Sequence, residues 1–153
     1  MSLTLLSLAA LLTPDAAACG AYGVVPLPEI AVTQVAEQHF SAIQRADRKA
    51  LSALWLTRSG TVTRVDGDQE ITNPVRQSID LWTAAPEPGA SWEILGVDMV
   101  DAETSTVTAK LTWKGSTYDE ELTLVQHRGD WRLVAKTYST DAPAASRPSF
   151  GGY

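Results

Sequence analysis

Hydrophobic and polar residues alternate along positions 107–140, and this period of two predicts three consecutive antiparallel strands. Two short segments interrupt the alternation, Gly115-Ser116 and Gly129-Asp130, and both are typical of two-residue hairpin loops. A loop at Gly115-Ser116 sets Trp113 opposite Tyr118. The pattern therefore predicts the centre of an antiparallel sheet.

The predicted strands have one apolar and one polar face, because side chains alternate sides along a strand. The second loop sets Val125 opposite Val134. The apolar face comprises Val107, Ala109, Leu111, Trp113, Tyr118, Leu122, Leu124, Leu133 and Ala135. The opposite face comprises Thr108, Lys110, Thr112, Asp119, Glu121, Thr123, Lys136 and Tyr138. Glu120 is a carboxylate on the apolar face, and because an unpaired buried carboxylate is costly, we expect any specific site to involve it.

Two helices are predicted ahead of this sheet. Apolar residues recur at helical spacing over residues 29–45, which indicates an amphipathic helix with one buried stripe. His39 lies within that stripe, where a histidine is more often a core residue than a catalytic one. Asp47 is a natural N-cap for a short second helix that leads to Trp55.

A hairpin and a third helix follow the first two helices. Residues 61–65 and 69–72 flank Asp66-Gly67, a favoured hairpin turn. Asn73-Pro74 supplies an N-cap and a proline at the first helical position. The buried face of this helix is predicted to carry Val75, Ile79 and Trp82.

Residues 92–100 alternate as a further strand before the three-strand segment. Trp92 and Ile94 are predicted on one side of it, and Leu95, Val97 and Met99 on the other. The order of elements predicts an α+β fold in which the helices cover one face of the sheet.

The N-terminal residues have the pattern of a secretory signal. The apolar run at 3–12 is too short to span a bilayer, and Ala16-Ala17-Ala18 suits a cleavage site. Ala-Ala-Ala-Cys also resembles a bacterial lipobox with Cys19 as the candidate for lipidation, so plain export and a lipid anchor are both open. A cytoplasmic protein with a disordered leader is the third alternative. The expected division is a signal peptide at 1–18, a linker at 19–28, one domain at 29–141 and a disordered tail at 142–153.

Composition narrows the partners that we expect. Twelve basic and eighteen acidic residues give a formal net charge of −6, and no run of Lys or Arg forms a phosphate-binding stripe. Nucleic acid is therefore not an expected partner. The single cysteine excludes an intramolecular disulfide, and no Cys/His cluster has the spacing of a structural zinc site. We expect no metal and no cofactor.

Three segments carry a resemblance to a known superfamily. They are Phe40-Ser41-Ala42-Ile43-Gln44-Arg45-Ala46-Asp47, Asp119-Glu120-Glu121-Leu122-Thr123-Leu124 and Gly129-Asp130-Trp131-Arg132-Leu133-Val134-Ala135-Lys136. With the order of elements, they make the chain resemble the nuclear transport factor 2-like (NTF2-like) superfamily over about Val32–Thr140. Within it the chain is similar to the SnoaL-like group named "putative lumazine-binding".

This resemblance implies a cone-shaped fold, in which a curved antiparallel sheet wraps around three N-terminal helices. It also implies a pocket that opens at one end of the cone and, often, a homodimer formed through the outer face of the sheet. Glu120 stands where such sequences commonly carry Asp, and Lys136 where they carry Lys. The segment Leu56-Thr57-Arg58-Ser59 departs from the His-Pro-Asp-like sequence that often follows the second helix.

The function that we expect is binding of a small apolar or aromatic molecule in the cone pocket, without catalysis. The chain has five Trp, and an aromatic-lined cavity with few polar groups suits such a ligand. The expected pocket residues are His39, Trp55, Trp82, Leu111, Trp113, Tyr118 and Glu120. The same aromatic residues would also serve simply to fill the core.

Two alternatives remain open from the sequence. An acid/base enzyme of the ketosteroid isomerase type (isomerase, cyclase or dehydratase) would use His39 and Glu120, with pKa values tuned by burial. The functional residues of the isomerases are not present at the corresponding positions of this chain. His39 stands where the oxyanion-binding Tyr is expected, Thr63-Arg64 where the base Asp is expected, and Thr123 where the second acid is expected. A ligand-free dimeric interaction domain would use the outer face of the sheet. The predicted dimer face comprises Val125, Val134, Lys136 and Tyr138.

Overall fold

The computed structural model describes residues 27–140, which form three helices and one six-stranded sheet. The helices are α1 (Pro28–Gln44), α2 (Arg48–Leu54) and α3 (Val75–Trp82). The strands are β1 (Thr61–Asp66), β2 (Gln69–Pro74), β3 (Ser91–Met99), β4 (Thr104–Trp113), β5 (Ser116–His127) and β6 (Asp130–Thr140). The predicted signal peptide, Cys19, all but the end of the predicted linker, and the predicted tail lie outside the described residues.

The helices form where helical spacing predicted them. The buried stripe of α1 comprises Val32, Ala36, His39, Phe40, Ala42 and Ile43. Asp47 caps α2, since its carboxylate accepts a hydrogen bond of 2.9 Å from the Ala50 N–H. The predicted N-cap of α3 is wrong: Asn73 remains in β2, paired with Val62, and Pro74 occupies the cap position. The predicted buried face of α3 is confirmed, with Val75, Ile79 and Trp82 all buried.

The strands follow the order β2-β1-β6-β5-β4-β3 in a curved, unclosed sheet. Neighbouring strands are antiparallel except β1 and β6, which run parallel and join the N-terminal hairpin to the edge of the long strands. The helices pack on the concave face, called here the inner face, where the apolar core lies. This is the cone-shaped α+β fold expected from the sequence, with one parallel pair in place of a wholly antiparallel sheet.

The loops of the two long hairpins differ from the prediction. The first loop is Lys114-Gly115, with φ values of 51° and 78°, so Trp113 pairs with Ser116 instead of Tyr118. Two successive residues at positive φ match the twist of a hairpin, and this requirement places Gly at the second loop position rather than the first. Because the register differs by two residues, every side chain of β4 and β5 keeps its predicted face.

The loops of the other two hairpins are also displaced by one residue from the prediction, in one toward the N-terminus and in the other toward the C-terminus. β5 and β6 are joined by Arg128-Gly129, with φ values of 55° and 86°. β1 and β2 are joined by Gly67-Asp68 rather than Asp66-Gly67, since Asp66 pairs with Gln69. Glycine again supplies positive φ in each loop.

A β-bulge interrupts the pairing of β6 with β5. Leu133 lies opposite Leu124, but the next pair is Ala135 with Thr123, which leaves Val134 as an extra residue. One extra residue reverses the alternation of every side chain that follows it. The predicted pairing of Val125 with Val134 is therefore wrong, and Val125 pairs with Arg132.

This bulge changes the predicted faces at the end of β6. Ala135 leaves the predicted apolar face and is only half-buried. Lys136 and Tyr138, predicted on the outer face, lie on the inner face instead, and Lys136 is only 2% exposed. Two of the four residues of the predicted dimer face are thus in the interior.

A second bulge lies in β3. Ile94 pairs with Ala109 and Gly96 with Thr108, which leaves Leu95 as the extra residue, 53% exposed. Val97 and Met99 consequently pack against the core on the same side as Ile94, and not on the opposite side as the alternation predicted.

Candidate functional site

The inner face holds a buried ion pair between two neighbouring strands. Glu120 on β5 and Lys136 on β6 are separated by 2.6 Å between Oε1 and Nζ, and each side chain is 2% exposed. Glu120 lies directly opposite Tyr138, which places Lys136 at the diagonal position on the next strand. The bulge at Val134 turns Lys136 inward, so the local backbone geometry creates this pair.

The pair balances two opposing electrostatic effects. Burial raises the pKa of Glu120, and the charge and hydrogen bond of Lys136 oppose that rise. Burial lowers the pKa of Lys136, and Glu120 opposes that fall in the same way. Each group therefore stabilises the charged form of the other in a site that disfavours either charge alone.

Aromatic rings surround the ammonium group. Nζ of Lys136 lies 4.7 Å from the ring centroid of Trp82 and 5.9 Å from that of Tyr138. Both distances are within the range of cation–π attraction. Tyr138 also packs edge-on against Tyr118, with ring centroids 5.8 Å apart.

A small cavity adjoins the ion pair between α3 and the sheet. The sheet residues that line it include Leu111, Trp113, Tyr118, Glu120, Lys136 and Tyr138. The wall contributed by α3 is Ser78, Leu81 and Trp82. Its free volume is about 30 Å³, which is room for roughly two water molecules.

Three residues that line this cavity carry buried polar atoms without hydrogen-bond partners within residues 27–140. These atoms are Oε2 of Glu120, Nε1 of Trp113 and the hydroxyl of Tyr118. Burial raises the pKa of Tyr118, and the nearby Ser116 hydroxyl opposes this rise without reaching the geometry of a regular hydrogen bond. Buried polar groups are nearly always partnered, so three around one cavity indicate that it receives polar atoms from water or a ligand.

His39 contacts Trp82 but does not line the cavity. The imidazole is fully buried, with ring centroids 5.2 Å from Phe40, 5.7 Å from Trp55 and 5.4 Å from Trp82. Nε1 of Trp55 donates a 3.3 Å hydrogen bond to Nδ1 of His39, so the neutral ring carries its proton on Nε2. Burial, with a smaller contribution from the charge of Lys136, holds the pKa of His39 well below its ordinary value.

The predicted pocket residues therefore divide into two groups. Trp82, Leu111, Trp113, Tyr118 and Glu120 line the cavity. His39 and Trp55 are absent from its lining and form an adjoining aromatic cluster, in which both rings contact the Trp82 ring. Of the two candidate acid/base groups, Glu120 therefore lines the cavity and His39 does not.

Of the predicted dimer face, Val125 and Val134 remain on the outer side of the sheet, both half-buried. Lys110 and Asp119 form an ion pair of 3.3 Å on this face, with side chains 46% and 43% exposed.

Sequence reasoning missed the inward position of Lys136 and the contribution of α3 residues Ser78 and Leu81 to the cavity. A signal for Lys136 was present, because a carboxylate at position 120 on an apolar face requires a cation nearby. No comparable signal marks Ser78 or Leu81, since their position depends on how α3 packs.

No group of three His, Cys, Asp or Glu side chains suited to a metal ion occurs in the part of the chain that the structure describes. In the same part of the chain, no helix is long and apolar enough to cross a membrane.

The family described as "Putative lumazine-binding" matches residues 28–139. The chain belongs to this family. Its members are NTF2-like domains, as the resemblance of the three sequence segments implied. Among curated protein sequences, none matches this chain significantly.

Solved structures support the same fold for this NTF2-like domain. An NTF-2 like protein of unknown function from Silicibacter pomeroyi DSS-3 gives a TM-score of 0.65 at 25% identity, over 72% of this chain and 93% of that one. An NTF2-like protein of unknown function from Methylobacillus flagellatus KT gives 0.67 at 20% identity, over 78% and 97%. A putative dehydratase of the NTF2-like family from Streptomyces avermitilis gives 0.59 at 21% identity, over 75% and 96%.

Proposed function

We propose that this NTF2-like domain binds a small, flat, largely apolar or aromatic molecule in its inner cavity and does not transform it. The observation that carries the proposal is the Glu120–Lys136 pair, which retains unused hydrogen-bonding capacity beside a cavity lined by aromatic rings. Ligand sites are typically apolar walls with a few polar groups that fix orientation.

The polar groups define the chemistry of the ligand. Oε2 of Glu120 is an acceptor without a donor in the described part of the chain, and the ammonium of Lys136 has three N–H donors, of which Oε1 of Glu120 takes one. An acceptor next to donors matches a ring edge on which an N–H stands beside a C=O, as in cyclic amides and imides. Trp82, Trp113 and Tyr118 supply aromatic surfaces for the faces of such a ring. Lumazine, which the family description names, has edges of this kind.

Binding of a ring requires the cavity to open. A free volume of about 30 Å³ does not hold a six-membered ring, so part of the wall must move. α3 is the wall element suited to move, because it is only eight residues long and its Leu81 is 38% exposed. The proposal therefore includes displacement of α3 or rotation of Trp82 when the ligand enters.

Native mass spectrometry of the protein purified from its own host is the first test. A stoichiometric extra mass that leaves on denaturation supports the binding function and identifies the ligand. Titration with lumazine, followed by tryptophan fluorescence, then compares the wild type with K136M and with the matched control K110M on the outer face. We expect K136M to weaken binding at least tenfold, the loss of about one charge-assisted hydrogen bond, and K110M to leave it unchanged.

Two results would contradict the proposal. The first is an equal affinity of K136M and K110M for lumazine. The second is folded wild-type protein that carries no co-purified mass and does not bind lumazine. Because K136M removes a buried charge, circular dichroism must first show that it is folded; W113F, which removes only the indole N–H and part of one ring, serves as the second variant.

Acid/base catalysis is the second candidate, and one observation favours it. Glu120 has a raised pKa and an unpaired Oε2 beside the cavity, which are properties of a general acid or base. E120Q separates the two functions, because it preserves size and most contacts but cannot exchange a proton. If a ligand found by mass spectrometry is converted by the wild type and remains intact in E120Q, the domain is an enzyme.

We also propose that the domain is exported and acts as a homodimer. Export rests on the apolar run at 3–12 followed by Ala16-Ala17-Ala18. The intact mass of the protein recovered from its host tests export, since removal of residues 1–18 is expected and an added lipid mass on Cys19 would indicate an anchor. A full-length mass would contradict it.

A further inference from the structure

Arg64 is a second cation on the inner face of the sheet. It lies on β1 directly beside Tyr138 of β6 in the parallel register. Val62, two residues earlier and therefore on the same side of β1, is buried and lines the cavity. Thr63 points the other way, where its hydroxyl meets that of Thr72 at 2.8 Å. Arg64 thus extends from the cavity wall on the side of Tyr138.

The charge of Arg64 is not balanced by an ion pair within residues 27–140. Four ion pairs form within residues 27–140, and Arg64 takes part in none of them. Its Nε is buried and has no hydrogen-bond acceptor in that part of the chain. Its charge does reach Tyr138, where it opposes the rise in the pKa of that hydroxyl caused by burial. A buried N–H of a charged group without an acceptor is costly, which indicates that an acceptor from outside the fold completes it.

Burial decreases along β6 from the ion pair toward Arg64. Leu133 is fully buried, Lys136 is 2% exposed, and Tyr138 is half-buried, so Tyr138 and Arg64 mark the mouth of the cavity. Strand spacing places the backbone of Arg64 roughly 8 Å from that of Lys136, one strand across and two residues along. That separation fits a ring held at Glu120–Lys136 with a short side chain that reaches the mouth.

We propose that Arg64 and Tyr138 form an anion subsite at the mouth, and that the ligand is a flat ring compound with an acidic substituent, a carboxylate or a phosphate. The planar guanidinium fork matches both groups, and the Tyr138 hydroxyl adds a donor. The net charge of −6 would otherwise repel such a ligand, so a local cation at the entrance is the feature that admits it. This inference rests on the proposed binding function and adds the charge class of the ligand.

Two probes that differ only in the acid test the subsite: lumazine and its 6-carboxylate. Fluorescence titration of folded full-length protein compares the wild type with R64M and with the control R132M, an arginine on the outer face. In the wild type we expect the carboxylate to bind about tenfold or more tightly than lumazine. R64M should abolish that difference while lumazine affinity changes less than about twofold, R64K should retain part of it, and R132M should match the wild type.

The outcomes distinguish the subsite from the cavity. If R64M keeps the preference for the carboxylate, or if the wild type has none, the anion subsite is wrong and the binding function stands. If neither probe binds the wild type, the binding function fails. The subsite is then tested separately, by following the NMR signal of the Arg64 Nε–H during a titration with inorganic phosphate. A saturable shift of that signal supports the subsite, and no shift overturns it.

Discussion

Removing the positive charge of Lys136 tests how strongly the buried Glu120 carboxylate depends on its ion pair. The two side chains are each 2% exposed and 2.6 Å apart, so K136M leaves a carboxylate that is removed from bulk water and lacks a counter-charge. We expect a loss of about 3–5 kcal/mol in the free energy of unfolding at pH 8, the usual cost of removing one partner of a buried pair. The double variant E120L/K136M removes both charges and should recover most of that loss.

The loss in K136M should shrink as the pH falls from 8 to 6.5. Without Lys136, nothing opposes the burial that raises the pKa of Glu120, so the folded state takes up a proton at a higher pH than the unfolded chain. Folded protein that binds more protons gains stability on acidification, by up to about 1.4 kcal/mol per pH unit. The comparison stops at pH 6.5 because His39 acts in the opposite direction below that value.

Urea unfolding followed by tryptophan fluorescence at pH 8 and pH 6.5 measures both effects. K110M is the matched control, since its 3.3 Å pair with Asp119 is exposed and should contribute less than about 1 kcal/mol. If K136M costs no more than K110M at either pH, the Glu120 carboxylate reaches bulk water without Lys136, and the buried ion pair described for this site is wrong.

Three further predictions follow from other parts of the fold. Because the pKa of His39 is lowered in the folded state, the unfolded chain takes up a proton first, and the wild type loses stability as the pH falls below 6.5, by up to about 1.4 kcal/mol per pH unit. The variant H39Q retains an acceptor for Trp55 but has no proton to gain, so its free energy of unfolding should lose this dependence on pH. Urea unfolding at pH 6.5 and pH 5 measures it, and an unchanged dependence in H39Q would contradict the lowered pKa. R128N should stabilise the fold by about 0.5 kcal/mol and raise the melting temperature by a few degrees, because Arg128 has φ of 55° and Asn tolerates that conformation better. A melting temperature below that of the control R58N would argue against strain in this loop. V134D should convert the proposed dimer to monomer in native mass spectrometry; an unchanged dimer mass, as expected for the control E103Q, would exclude this face of the sheet.

The sequence predicted the helices and the inner face well because both depend on short-range periodicity. The helix-period stripe of α1 and the two-residue alternation of β4 and β5 are local properties, and His39, Trp82 and Glu120 lie where these periods place them. The register errors left the faces intact, since a displacement of two residues preserves the side to which each side chain points.

The bulges were beyond the reach of the same reasoning. Val134 and Leu95 are extra residues in otherwise regular strands, and nothing in a period-two pattern marks where one extra residue enters. Each depends on tertiary packing, which decides whether the following residues bury better on one side or the other. The positions of Lys136 and Tyr138, and with them half of the candidate site, followed from that single feature.

The bulge in β6 also makes the inner face of this strand tolerant of one change in chain length. Deletion of Val134 would remove the extra residue and leave the pairs on either side of it, Leu133 with Leu124 and Ala135 with Thr123, as a regular ladder. Lys136 and Tyr138 would keep their inward positions, because the alternation after Leu133 would then run without interruption. The buried ion pair thus tolerates the loss of this one residue, whereas one residue inserted between Lys136 and Tyr138 would turn Tyr138 outward.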